Sequence, residues 1–161
     1  MTDPIRPTDD EARRLARDLI DTARFGALAV HDPETGAPMV SRVAVATDAT
    51  GCPVSLVSDL SHHTKALKAD PASSLLVGEP GPKGDPLTHP RLTIQARARF
   101  LRHGEDGHAE LARRYLDLQP KAQLYIGFAD FSFLIYQVER AHLNGGFGKA
   151  YTMGPADLGL S

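Results

Sequence analysis

The sequence predicts a mainly β protein, an antiparallel β-barrel with appended helices. Two observations predict this class: short segments of alternating apolar and polar residues, and strong turn sequences that separate the first three of them. Strands that follow one another through tight turns pair antiparallel, whereas a parallel sheet needs a helix between successive strands. The six expected strands are residues 25–31, 39–47, 53–58, 74–78, 91–102 and 131–143.

The turns and the alternation justify the first strands. Residues 32–36 read Asp-Pro-Glu-Thr-Gly and residues 48–51 read Asp-Ala-Thr-Gly, which are typical turn sequences. Between them, residues 39–47 alternate along the chain, as expected for a strand with one buried face. Strand, turn, strand, turn, strand is the pattern of an antiparallel meander.

Helices are expected between and before these strands. Thr8 and Glu11 form a capping-box pattern in front of apolar residues at helical spacing, which predicts a helix over about 9–24. Further helical segments are expected at 62–69, 104–116 and 120–125. The tail over about 153–161 is expected to be loose.

Length and composition favour one domain over residues 1–161. Cys52 is the only cysteine, so an internal disulfide is excluded and a reducing compartment is expected. The net charge is −2 with no block of one sign, which argues against nucleic-acid binding. Because the N-terminus has no signal-peptide pattern and no apolar run is long enough to cross a membrane, we expect a cytoplasmic protein.

The segment 58–65 is the richest in groups that bind anions. Ser61 is a good N-cap, and the first amides of the following helix favour an anion in front of them. Ser58, Ser61 and Thr64 add hydroxyl groups, and Lys65 adds a positive charge. The segment therefore predicts a phosphate cradle; the alternative is an ordinary capped surface helix.

Arginines on two strands are further candidates. Ser41 and Arg42 lie in the middle of a strand, where an arginine suits an anion; the alternative is a residue at the sheet edge whose charge reaches solvent. Arg91, Arg97 and Arg99 form a polar stripe that faces solvent, a partner or a ligand.

Two loops and the histidines are the remaining candidates for a functional role. The Pro- and Gly-rich loop 79–90 is long enough to indicate function. The glycine-dense segment 145–148 reads first as a bulge and second as a ligand lid. The histidines lack metal-ligand spacing and Cys52 lacks a nearby base, so no metal site and no nucleophile are predicted.

The order of these pieces resembles the pyridoxamine 5′-phosphate oxidase-like, FMN-binding split-barrel superfamily. Within that superfamily the chain is most similar to the short relatives of the haem-utilisation (HugZ-type) branch. The segments that carry the resemblance are residues 25–30, 38–43, 58–65, 84–93, 120–131 and 145–150. Each is weak alone, and their joint order over about residues 10–152 is specific.

The resemblance implies a six-stranded Greek-key split barrel that forms a homodimer, with FMN held at the subunit interface. It implies an FMN-binding flavoprotein, an oxidoreductase acting on a small-molecule substrate. No side chain declares itself as catalytic. The residues that the motifs and the resemblance assign to the cofactor are Ser41, Arg42, Ser58, Ser61, Thr64, Lys65, Arg91, Gly146 and Phe147.

Two other functions stay open. A haem-binding or haem-degrading protein needs an iron ligand, for which His62, His63 or His89 are the available donors. A split barrel that has lost its cofactor would act as a binding module. The sequence departs from the vitamin B6 oxidases and from the haem-degrading relatives in its C-terminal part, so neither of those specific activities is expected.

Overall fold

The protein is described by a computed structural model that covers residues 4–161; the first residues of the expected domain lie outside this range. These residues fold into eight β-strands and three α-helices, with three short 3₁₀ helices at 86–88, 120–124 and 155–158. The helices are α1 Asp10–Thr22, α2 His62–Ala69 and α3 His108–Leu118. The strands are β1 Phe25–His31, β2 Pro38–Ala44, β3 Ala46–Thr47, β4 Pro53–Ser58, β5 Ala72–Val77, β6 Arg91–Leu101, β7 Phe131–Asn144 and β8 Ala150–Met153.

All strands belong to one antiparallel sheet, which confirms the mainly β fold class. The strand order is β2-β1-β5-β6-β7-β4-β3, and β8 pairs with β7. The expected number of six strands differs from the eight observed. The predicted strand 39–47 is interrupted at Val45, whose backbone N–H donates to the carbonyl of Arg24 at 3.0 Å instead of continuing the ladder. Strand β8 spans only four residues, too few for an alternation pattern to reveal it.

One face of the sheet encloses the main core, and the other face is covered only in part. The inner residues of the central strands, such as Leu28, Ile94 and Tyr136, are fully buried. Helix α1 covers this core with Ala12, Ala16 and Ile20. A second buried cluster lies where α3 packs on β4 and β7. Exposed side chains on the outer faces of β2, β1 and β5, such as Val40, Phe25 and Leu76, mark the surface that carries the candidate site.

The helix boundaries differ from the sequence prediction by a few residues. Helix α1 is capped by Asp9, whose carboxylate accepts from the backbone N–H of Ala12 at 2.8 Å, and not by Thr8. Thr8 instead donates to the carbonyl of Thr152 at 3.2 Å, a contact between distant parts of the chain. Helix α3 begins at His108 because the backbone of Gly107 is left-handed (φ 89°), which ends the preceding turn.

The C-terminal tail is ordered against the core, contrary to the expectation of a loose end. Residues 155–158 form a 3₁₀ helix, and the side chain of Leu158 is 1% exposed. Asp157 accepts from Arg13 Nε at 2.8 Å, and Arg17 Nη1 donates to the carbonyl of Leu158 at 2.9 Å. The tail is short, and its buried anchor Leu158 and the partly buried Leu160 follow no periodic pattern from which their packing could be predicted. Among residues 4–161 no helix is long and apolar enough to cross a membrane.

Replacing the tail anchor tests this packing. We expect Leu158→Ala to lower the free energy of unfolding by about 2–4 kcal/mol, because it removes a buried side chain and leaves a cavity. Denaturant unfolding followed by circular dichroism measures the change. Leu124, which is 80% exposed, provides the matched control, and Leu124→Ala should alter stability little. Equal effects of the two substitutions would contradict the docked tail.

The buried histidine at the start of α3 predicts a loss of stability in mild acid. His108 is 7% exposed, its ring lies 4.4 Å from that of His103, and burial lowers its pKa, with the His103 charge adding to the effect. The unfolded chain therefore binds a proton below about pH 6.5 that the folded protein resists. The contribution of uncharged His108 to the free energy of unfolding is therefore complete above about pH 6.5 and is lost as the pH falls through the lowered pKa.

Unfolding curves at pH 7 and at pH 5 measure this loss. We expect His108→Phe to reduce the difference between the two pH values. The control His31→Gln, at an exposed position, should leave the difference unchanged. Carboxylates with lowered pKa, such as Asp59 and Asp157, titrate below this window. A difference that is the same in the wild type and in His108→Phe would rule out His108 as its source.

Candidate functional site

An open groove lies on the outer face of the sheet, between β1, β2, β5 and the loop that follows β5. Its volume is about 560 Å³. Phe25 and Ala27 from β1, Leu76 from β5 and Thr93 from β6 form its floor. These positions alternate with core residues along each strand, so the pleat turns them outward. The remaining lining residues are Gly26, Val40, Ser41, Arg42, Val77, Gly78, Glu79, Pro80, Pro86, Leu87 and Arg91.

The groove walls are apolar and yet exposed. Phe25 is 42% exposed, Val40 64%, Leu76 43% and Leu87 69%. Large apolar side chains grouped on one surface are typical of a ligand or partner site. These four residues were not predicted from the sequence. The signal for them is an apolar side chain at an outward position of a strand, as in β2 and β5.

Two arginines border this apolar surface. The guanidinium of Arg42 lies over the ring of Phe25, 5.5 Å from its centroid. Arg91 Nη1 donates to the carbonyl of Leu87 at 2.7 Å and to that of His89 at 3.3 Å, which ties the loop to the start of β6. Within residues 4–161 neither guanidinium forms an ion pair, although Glu79 also lines the groove. Both charges are available to an anionic group of a ligand.

The loop beside the groove is held together by a histidine ring. His89 Nδ1 accepts from the backbone N–H of Gly81 at 3.1 Å, so its Nε2 carries the proton and donates to the carbonyl of Lys83 at 2.6 Å. The short 3₁₀ helix at 86–88 is capped by Asp85, whose carboxylate accepts from Leu87 N–H at 2.9 Å. The loop is therefore structured by its own side chains.

The start of α2 does not form the open phosphate cradle that the sequence predicts. Ser58 Oγ donates to Asp130 Oδ2 at 2.8 Å, so a carboxylate already occupies it. Thr64 is fully buried and its hydroxyl points away from solvent, because it lies on the helix face that packs on the sheet. Ser61 makes no side-chain capping bond, and Lys65 is exposed. Of the predicted donors, Ser61 and Lys65 stay available at this helix end.

Two adjacent histidines link α2 to the edge of the sheet. His63 Nδ1 lies 3.2 Å from Ser41 Oγ, and its Nε2 is buried without a partner in the described chain. Burial lowers the pKa of His63, and the charge of His62 lowers it further. His62 Nε2 lies 3.5 Å from Asp32 Oδ1. The pair of histidines therefore connects α2 to β2 and to the turn after β1.

The glycine-dense segment lies next to the loop and not in the groove lining. Gly146 has φ 119°, and a Cβ placed on it would lie 3.1 Å from the carbonyl oxygen of Thr88. Its N–H donates to Asn144 Oδ1 at 3.0 Å. Phe147 is 93% exposed, so its ring makes no closure over the groove. Of the predicted cofactor residues, the groove brings together Ser41, Arg42 and Arg91.

The surroundings of Cys52 and the placement of metal-binding side chains bear on two other kinds of chemistry. The Cys52 thiol lies 3.0 Å from the carbonyl oxygen of Tyr136, and burial raises its pKa to about 12. Such a thiol is protonated at neutral pH and is a poor nucleophile. Within residues 4–161 no group of three or more His, Cys, Asp and Glu side chains is placed to hold a metal ion.

Comparison with known proteins places the chain among β-barrel proteins. A family model described as "CREG, beta-barrel" matches residues 7–158. Over 136 residues the chain is 32% identical to the non-canonical heme oxygenase HOZ, chloroplastic, of Arabidopsis thaliana. That alignment covers 81% of this chain and 40% of the Arabidopsis protein, so the chain spans less than half of that relative.

Solved structures show the same fold. The structure of a heme binding protein from Mycobacterium smegmatis is 30% identical, with a TM-score of 0.82, and the match covers 96% of this chain and 61% of that one. A Clostridium acetobutylicum protein of the pyridoxinephosphate oxidase family, related to general stress protein 26, is 13% identical with a TM-score of 0.70, covering 94% and 99% of the two chains. This second likeness concerns the fold alone, and it confirms the split-barrel resemblance.

Proposed function

The chain belongs to the CREG beta-barrel family, and from this membership and its groove geometry we propose that it binds haem between Arg42 and Arg91. The observation that carries the proposal is the pairing of two guanidinium groups free of ion pairs with exposed apolar walls. Haem is a flat apolar macrocycle with two propionate groups on one edge. Arginine recognises carboxylates through its planar fork, and the apolar walls suit the macrocycle.

The residues of the groove fit this group in most respects. Its volume, about 560 Å³, lies within the usual range of small-molecule sites, about 300–1,000 Å³. Arg42 and Arg91 would hold the propionates, and Phe25, Leu76 and Leu87 would contact the ring. The lining contains no histidine, cysteine, methionine or tyrosine. His89 is the donor nearest in the chain, and both of its ring nitrogens are bonded within the loop.

Haem, when bound, supplies a redox-active iron whose reactivity depends on its ligands and on the polarity around it. The role of this chain is to bind and orient the haem. The arginines hold the edge that carries the propionates, and the apolar walls exclude water from the faces of the ring. A relative that is 32% identical is named a heme oxygenase and one that is 30% identical a heme binding protein. Because the chain spans 40% and 61% of these proteins, the proposal is limited to haem binding.

FMN is the second candidate, and the start of α2 favours it. Ser61 has a hydroxyl free of capping bonds, and Lys65 is exposed one turn later, so both are available to a phosphate. Against it, Asp130 beside Ser58 and Asp32 beside His62 place carboxylates near the same helix end. With FMN bound, the protein would be a flavoprotein oxidoreductase that acts on a small substrate.

Absorption titrations of the purified protein with haemin and, separately, with FMN distinguish the candidates. We expect a Soret band and saturable haemin binding. Each of Arg42→Gln and Arg91→Gln should weaken haemin binding about fivefold to tenfold, since a partly exposed charge pair contributes about 1 kcal/mol. Arg97→Gln, a change on the same strand face outside the groove, is the matched control and should bind haemin like the wild type.

If FMN binds saturably, Lys65→Gln weakens this binding and haemin does not bind, then FMN and not haem is the ligand. Haemin binding that is equal in the wild type and in both groove variants would refute the site. Absence of binding to either group would overturn the proposed function and would leave the cofactor-free binding module.

We further propose that a second copy of the chain covers the groove, so that the site lies at the interface of a homodimer. Phe25, Val40 and Leu76 are exposed on three neighbouring strands, and Ala27 between them also lines the groove. An apolar surface of this kind is covered in most soluble proteins. Self-association through one face gives a two-fold dimer.

Light scattering after size-exclusion chromatography measures the mass of the particle. We expect a dimer for the wild type and a monomer for Leu76→Lys, because a charge at the centre of an apolar interface costs several kcal/mol to bury. Leu124→Lys, a change at an exposed leucine outside the groove lining, should remain dimeric. A monomeric wild type, or a Leu76→Lys dimer, would contradict the interface.

A further inference from the structure

A second pocket lies on the same outer face, at the opposite end of the strands. Its volume is about 610 Å³. Ala29 and Ala72 belong to its floor, where small side chains leave space above the sheet. Its charged and polar walls are His31 from β1 and Glu139 and Arg140 from β7. Neither the family match nor the residues predicted from the sequence assign a role to this pocket.

A β-bulge builds the charged wall. Gln95 pairs with Arg140 and Ala96 pairs with Val138, so Glu139 is an extra residue of β7 at this point. Glu139 and Arg140 are both exposed, while Val138 before them packs on the core and Ala141 after them is fully buried. In a regular strand consecutive side chains point to opposite faces. The bulge instead turns two consecutive residues of opposite charge toward the same pocket.

Both charges are without partners in the part of the chain that the structure describes. Within residues 4–161 neither Glu139 nor Arg140 takes part in an ion pair or a side-chain hydrogen bond. The nearby amide of Gln95 is engaged, since His142 Nε2 lies 3.2 Å from its Oε1. Glu139 and Arg140 are consecutive, with Cα atoms about 3.8 Å apart, and both line the pocket.

The pocket and the groove are neighbouring parts of one surface. On β1 the groove contains Ala27 and the pocket Ala29; on β6 the groove contains Thr93 and the pocket Gln95. Two residues along a strand correspond to about 7 Å. A molecule in the pocket would therefore lie beside a ligand in the groove.

From this arrangement we infer that the pocket binds a small zwitterion of the α-amino-acid class. Arg140 receives the carboxylate through its fork, and Glu139 receives the ammonium group. The two groups of an α-amino acid are attached to the same carbon, which matches charges presented by consecutive residues. The side chain of the ligand lies on the apolar floor formed by Ala29, Pro38 and Ala72.

Chemical-shift mapping by NMR tests the inference on the full chain without haem or FMN, with L-leucine as the probe. We expect saturable shifts of the amides of His31, Glu139 and Arg140. 4-Methylpentanoic acid is leucine without its ammonium group and isoamylamine is leucine without its carboxylate, so each should bind at least fivefold more weakly than leucine. Melting temperatures of all variants check that the fold is retained.

Substitutions assign the two charges. Arg140→Gln and Glu139→Gln should each weaken leucine binding at least fivefold, and Glu139→Gln should also bring leucine and 4-methylpentanoate to similar affinities. Arg97→Gln, an exposed position on β6 outside the pocket lining, is the matched control and should bind like the wild type. No saturable shift in the wild type, or equal binding in all variants, overturns the inference. The haemin titration is a separate measurement, so either proposal can fail without the other.

Discussion

The pairing of β6 with β7 is the constraint on which the rest of the structure depends. The ladder runs from Arg91 opposite Asn144 to Leu101 opposite Phe133. Strands β5, β1 and β2 are added on the β6 side, and β4 and β3 on the β7 side. This ladder therefore positions both the groove and the second pocket. The groove contains the first residue of β6, and the second pocket lies at the bulge in β7.

The two faces of the sheet have different physical roles. Inward residues such as Leu92 and Tyr136 are buried and stabilise the fold through apolar contact. Outward residues are free of that requirement, so small, apolar and charged side chains can be combined there. Exposed apolar residues grouped beside Arg42 and Arg91 are typical of a surface that binds a ligand or a partner. This difference between the faces supports a functional outer surface.

The start of α2 shows how a site read from a motif changes once its neighbours are known. Ser58 and Thr64 carry the hydroxyls that suit a phosphate, but Asp130 takes the first and the core takes the second. The carboxylate of Asp130 is distant in sequence and approaches only because β4 pairs with β7. Donors in a local motif are available to a ligand only when no long-range partner is nearer.

The sequence by itself determined the mainly β class and the positions of α1, α2 and the long strands, and it predicted Arg42 and Arg91 as candidate site residues. Alternation, turn sequences and capping are local signals, so they can be read without the fold. Only the tertiary structure decided the groove, the bulge at Glu139, the docked tail and the burial of Thr64. Each depends on which distant residues become neighbours, since strand register and packing are set by the whole core and not by any single segment.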